Sequence, residues 1–214
     1  MNPFDRWRHI VVEGPIGVGK TTLARKLADR FGAQLVLEDP QSNPFLERFY
    51  RDPPRYALPT QLFFLFQRVH QLRDFAQSDR FSQSAVSDFL FDKDPLFARL
   101  NLSEAEFDLY QKTLETVSAH PPRPDLVIYL QADPETLIER IRKRAIASEA
   151  NIDETYLRAL VDAYSRYFHP YDSTPLLIVN TAHLNPIDRD PDFDLLLQQI
   201  AGLRGRRGFI NRAD

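Results

Sequence analysis

An open parallel α/β sheet flanked by helices is what this sequence predicts, and three observations carry the prediction. Short apolar runs with strand character alternate with longer segments of helical periodicity, the order that builds βαβ units. The chain has 214 residues, enough for one sizeable core and too few to demand a second. Its residues are 43% hydrophobic, 27% charged and 12% aromatic, which excludes the disordered, collagenous and coiled-coil classes.

Five strands are expected. Residues 9–13 and 34–38 are apolar runs closing on Glu13 and Glu38, and residues 84–88 are a weaker run closing on Asp88. Residues 126–130 and 176–180 are the most apolar, as strands covered on both faces must be. After the first strand, residues 21–31 place Leu23, Leu27 and Phe31 on one helical face, with Gly32 as the stop. The spacing predicts a long helix, aromatic on one side, over residues 60–75. Ser103 and Glu106 form a capping box opening a helix over 103–117. Asp133 followed by Pro134 is an N-cap and first turn, and that helix runs to Arg144. Further helices are expected over 153–168 and 192–203.

Proline-rich stretches at 52–54, 120–124 and 185–191 read as loops within a single domain spanning residues 1–203. Residues 204–214 are a basic tail, expected to fray rather than to bind nucleic acid.

Composition removes several chemistries. Cysteine is absent, so disulfides, thiolate nucleophiles, Fe–S clusters and cysteine-ligated zinc are excluded. The five histidines show no metal-ligand spacing. Net charge is −3, yet 22 of the 27 basic residues are arginine. Arginine suits bidentate contact with carboxylate or phosphate, although compositional bias alone produces the same excess. The chain does not open on a basic segment followed by an apolar one, and no apolar run approaches the ~20 residues of a membrane span. A cytoplasmic protein without a membrane partner is the expectation.

One motif carries chemistry outright. Gly14-Pro15-Ile16-Gly17-Val18-Gly19-Lys20-Thr21 fits G-x-x-x-x-G-K-[ST], follows an apolar strand and opens an amphipathic helix that continues through Thr22. Its glycines let backbone N–H groups converge on a polyphosphate at a helix N-terminus. Lys20 is expected to bridge the outer phosphates of ATP, with the Thr21 hydroxyl on Mg²⁺. The base-reading string N-K-x-D of GTP switches does not occur, which favours a small-molecule kinase.

Ligands of such sheets collect beyond the carboxyl ends of the strands, where Glu38 and Asp88 stand. Glu38 reads either as an ordinary strand-end acid or as the acceptor of a hydroxyl proton. Asp88 reads either as a turn cap or as a Mg²⁺ holder. Arg140, Arg142, Lys143 and Arg144 crowd one helix end, as a solvated face or as a lid that closes on the transferred phosphate.

Several strings together resemble the deoxynucleoside kinases, especially the bacterial deoxyadenosine/deoxyguanosine branch, over about residues 8–200. They are the segment 13–21, Asn43 to Tyr50, Gln61 to Leu65, Asp94 to Ala98, and Pro124 to Leu130. The resemblance implies a P-loop kinase fold with a five-stranded parallel sheet and an arginine-bearing lid, usually a homodimer. It also implies transfer of the ATP γ-phosphate to the 5′-hydroxyl of a deoxyribonucleoside, most readily deoxyadenosine. By resemblance Glu38 is the general base, Tyr50 and Glu149 hold the sugar 3′-hydroxyl, Gln61 reads the base edge, Phe97 stacks on the base and Arg68 lies beside it. Arg140 and Arg144 match phosphate-contacting lid arginines.

Two departures stand out. Where many relatives have an acid, arginine and serine after the third strand, this chain has Ser87-Asp88-Phe89, with no arginine. Ile146 stands where many carry another lid arginine. The missing arginine makes a catalytically weakened nucleotide-binding subunit one alternative to an active deoxynucleoside kinase; a nucleoside monophosphate kinase of the same fold is another.

Overall fold

The computed structural model describes residues 6–77, 84–117, 123–146 and 149–211. Its strands are β1 (His9–Glu13), β2 (Gln34–Val36), β3 (Ala85–Ser87), β4 (Leu126–Gln131), β5 (Leu176–Asn180) and β6 (Arg207–Ile210). They form one sheet in the order β2-β3-β1-β4-β5-β6, and every pairing is parallel. β1 lies at the point where the chain switches from one side of the sheet to the other, with Ile10 facing Val86 of β3 and Leu126 of β4. The crevice beyond its carboxyl end is the expected ligand position.

The helices are α1 (Lys20–Phe31), α2 (Leu46–Arg51), α3 (Pro53–Gln77), α4 (Asp94–Asn101), α5 (Glu104–Val117), α6 (Pro134–Arg144), α7 (Glu154–Phe168) and α8 (Asp190–Gly202). Local chemistry explains their ends. Asp133 accepts from the Thr136 N–H at 2.7 Å to start α6, and Asp153 accepts from Thr155 and Tyr156 N–H groups to start α7. At α5 the Glu106 carboxylate accepts from both the N–H and the hydroxyl of Ser103. Gly32 takes the left-handed conformation, φ 66°, that closes α1.

β1 is buried along its length, as are Leu126 to Leu130 of β4 and Leu176 to Val179 of β5. Against β4 packs an aromatic column from α7, with the Tyr129 and Phe168 rings stacked at 4.2 Å. Among the described residues no helix is long and apolar enough to cross a membrane.

Three expectations need correction. The sheet has six strands, not five, because residues 207–210 of the supposedly frayed tail pair with β5, with Leu176 opposite Arg207. Arg207 fastens that strand by donating to the carbonyls of Phe168, His169 and Tyr171. The helix expected over 60–75 begins at Pro53, since prolines in a first turn forfeit no intrahelical bond, and it continues through Pro59. The last helix starts at Asp190, with Pro191 in its first turn, so part of the loop expected over 185–191 is helical. Residues 120–122 of the middle proline-rich stretch and 212–214 of the tail lie outside the described residues.

Candidate active site

The phosphate loop follows β1 directly. Gly17 and Gly19 have φ of 86° and 99°, the left-handed region where a Cβ is strained. Neighbours also exclude one: a Cβ on Gly17 would stand 2.8 Å from Cγ1 of Ile141, and one on Gly19 2.2 Å from Cδ1 of Ile187. Gly19 is the N-cap of α1 and offers no side-chain acceptor, so the first N–H groups of the helix are left for an anion. Lys20 and Thr21 face the cleft beside the loop, whereas Thr22 lines a separate surface groove with Arg25 and Lys26.

That cleft collects most of the expected residues. Ile16, Lys20, Thr21, Glu38, Tyr50, Gln61, Arg68, Asp88, Phe97, Arg144 and Glu149 all line it. Glu38 and Asp88 stand just past the ends of β2 and β3, brought together by the strand pairing of Val36 with Ser87. Asp88 accepts from the Thr21 hydroxyl at 2.6 Å and from the Glu38 N–H at 2.8 Å. Burial pushes the Asp88 carboxyl up, against the opposing pull of those two bonds and of Lys20.

Glu38 is nearly enclosed and accepts from Nε of Arg68 at 2.7 Å. Burial alone would raise its pKa, but Arg68, Lys93 and Lys20 together hold it below the ordinary carboxylate value. Arg68 is 3% exposed and pairs on its other side with Asp94. Asp94 is itself fully buried and also accepts from the Tyr110 hydroxyl. The Gln61 amide nitrogen donates to both the carbonyl and the carboxylate of Asp94, each at 3.3 Å.

At the opposite wall Tyr50 packs on Phe49 and Tyr156, and burial, reinforced by Tyr156, Glu149 and Glu38, pushes its hydroxyl pKa well up. Arg144 donates to Glu149 at 2.5 Å. Phe97 meets Tyr164 edge-on at 6.0 Å. Arg140 is absent from the cleft: its guanidinium donates to the hydroxyl and carbonyl of Thr181, just past β5. The two expected lid arginines therefore have different partners, Arg140 at Thr181 and Arg144 at Glu149.

A buried acid at the end of β1, just before the phosphate loop, carries no role legible in the sequence. Glu13 accepts from the N–H groups of Gly14 and Leu90, from Lys93 at 3.1 Å and from the Tyr164 hydroxyl at 3.0 Å. The available signal was an acid closing an otherwise apolar strand, which burial obliges to find partners.

A phosphate cradle opening onto a cleft with an ionised, cation-flanked carboxylate defines a P-loop phosphotransferase acting on a small acceptor. Three comparisons narrow the class. The family model "Deoxynucleoside kinase" matches residues 10–203. The chain is 36% identical to deoxyguanosine kinase of Bacillus subtilis over 72% of this chain and 75% of that one. It is 31% identical to deoxyadenosine kinase of Lactobacillus acidophilus, covering 80% of this chain and 84% of the relative. A solved structure of deoxyadenosine kinase from M. mycoides with bound dATP shares the fold, with a TM-score of 0.78, 24% identity, and coverage of 91% of this chain and 99% of that chain. The chain belongs to the deoxynucleoside kinase family. β6 lies beyond the end of that family match.

Proposed function

We propose that this deoxynucleoside kinase transfers the γ-phosphate of ATP to the 5′-hydroxyl of a purine deoxynucleoside, with deoxyadenosine preferred. The observation that carries the preference is the orientation of Gln61. Its amide nitrogen is committed to Asp94, so the group it offers a base is the amide oxygen. An acceptor there pairs with the N6 amino group of adenine and repels the O6 of guanine. Arg68, the donor that would suit guanine O6, is occupied by Glu38 and Asp94.

In this reading Lys20 and the loop N–H groups hold the outer phosphates, and Arg144 reaches the transferred group from the lid. Tyr50 and Glu149 receive the 3′-hydroxyl, and Phe97 lies along the base. Glu38 orients the 5′-hydroxyl and takes its proton as the new P–O bond forms and the bond to the leaving ADP breaks. Its depressed pKa keeps it ionised at neutral pH.

Thr21 and Asp88 fit Mg²⁺: two hard oxygen ligands beside the phosphate cradle suffice for an ion that keeps most of its shell as water and phosphate oxygen. Bound there, the ion would neutralise charge on the transferring phosphate. Arg140, held at Thr181, acts from the donor side rather than the acceptor cleft. Phe66 and Leu109, 42% and 51% exposed on α3 and α5, supply apolar surface for a homodimer.

Initial rates with deoxyadenosine, deoxyguanosine, deoxycytidine and thymidine at fixed ATP and Mg²⁺ test the claim. Highest kcat/KM for deoxyadenosine supports it. Preference for deoxyguanosine sinks the Gln61 argument, and turnover of dAMP but of no deoxynucleoside sinks the whole reading.

A further inference from the structure

The orientation of Gln61 is set from outside the cleft. Its amide faces two atoms of Asp94, the main-chain carbonyl and the carboxylate Oδ1, each at 3.3 Å. Both are acceptors only, so the amide turns its nitrogen to them and its oxygen away. Oδ1 also pairs with Nη1 of Arg68, whose guanidinium lies 5.3 Å from the centroid of the Phe64 ring. The other carboxylate oxygen, Oδ2, accepts the hydroxyl of Tyr110. Asp94 and Tyr110 are both fully buried, and neither lines the cleft.

Asp94 is the first residue of α4 and Pro95 follows it, so its backbone is held while its carboxylate keeps a broad, shallow final torsion. Tyr110 of α5 removes that freedom. Its ring stacks on Phe107 with centroids 6.0 Å apart, and it shares one buried cluster with Leu65 and Val69 of α3 and Ala98 of α4. Burial pushes its hydroxyl pKa up, so the group remains a proton donor.

We propose that Tyr110 is a positioning residue for base selection: by holding Oδ2 of Asp94 it keeps Oδ1 in front of Gln61 and Arg68, and so fixes the amide oxygen of Gln61 as the group presented to the base. The inference rests on Gln61 as the reader of the base edge. Without the hydroxyl, the carboxylate turns toward Arg68 with both oxygens, and Gln61 is left with one long bond to a main-chain carbonyl. The amide then flips at little cost and offers its nitrogen to a 6-oxo base. Selection between 6-amino and 6-oxo purines relaxes although every group that touches the base is unchanged.

Tyr110→Phe keeps the ring and its stacking and removes only the donor. The measurement is kcat/KM for deoxyadenosine and for deoxyinosine, which carries O6 without the 2-amino group of guanine. It is made in wild type, in Tyr110→Phe, and in Ile200→Val, a stability control in the main core of α8 away from this network. The deoxyadenosine-to-deoxyinosine ratio should fall about fivefold in Tyr110→Phe, the equivalent of one hydrogen bond, and hold in Ile200→Val. A wild type that does not favour deoxyadenosine sinks the Gln61 reading and this inference with it. A wild type that does, beside a folded Tyr110→Phe whose ratio stays within about twofold of it, overturns this inference alone. The hydroxyl is then a structural donor, however far the melting temperature falls.

Discussion

Replacing Arg68 by leucine removes one guanidinium and strands two acids at once. Arg68 is 3% exposed, and the side chains of its partners Glu38 and Asp94 are 11% and 0% exposed. Breaking a buried ion pair from one side costs about 3–5 kcal/mol, because a charge is left without solvent or partner. In a chain of about this size each kcal/mol moves the melting temperature by ~2–4 °C, so Arg68→Leu should melt some 6–20 °C lower near pH 7.5. The sign of the pH dependence follows from the pairing. In the wild type Glu38 titrates below its ordinary value, so its contribution is present above that value and lost as pH falls through the folded pKa. Without Arg68, only Lys93 and Lys20 oppose the effect of burial, so the carboxyl rises, and acidification then relieves the variant by protonating the stranded group. The gap between the two melting temperatures should therefore narrow from pH 7.5 to pH 5, as followed by circular dichroism. A gap under about 2 °C, or one unchanged with pH, would refute the claim that this arginine balances buried charge.

Gly19→Ala places a Cβ in the left-handed region and against Ile187. It should cost about 1–2 kcal/mol in stability and weaken nucleotide binding at least tenfold by calorimetry. Asp88→Ala should raise the Mg²⁺ concentration needed for half-maximal activity and, by leaving the Glu38 N–H without its acceptor, lower stability by about 1–3 kcal/mol. Because burial raises the Asp88 pKa, wild-type affinity for Mg²⁺-nucleotide should decline on acidification sooner than an ordinary aspartate would permit. Arg207→Ala leaves the carbonyls of Phe168, His169 and Tyr171 without their donor and should lower stability by about 1–3 kcal/mol in urea unfolding.

The central strands were legible because β1, β4 and β5 are buried on both faces and therefore read as unbroken apolar runs. β6 was not, since Arg-Gly-Phe-Ile has no run of its own and is held by the edge of β5 and by Arg207 on helix-end carbonyls. The start of α3 was hidden for another reason: paired prolines read as a loop, though a first helical turn tolerates them. In the cleft, Glu38, Asp88 and the glycine loop could be picked out by position after strands. The Arg68–Asp94–Tyr110 and Glu13–Lys93–Tyr164 clusters could not, because their members come from α3, α4 and α5 in one case and from β1, the turn before α4 and α7 in the other. No spacing along the chain announces such pairings.

The contact between Gly19 and Ile187 has a consequence for how the protein comes into being. The phosphate loop is made before its cover, which is supplied by Ile187, whose carbonyl also accepts from Lys26 of α1 at 3.0 Å. β4, which flanks β1, likewise arrives more than a hundred residues after it. A ribosome-bound chain ending before this late segment therefore carries the glycine motif without a finished cradle. Truncation before Ile187 should therefore weaken nucleotide binding in calorimetry even though every residue of the glycine motif is present.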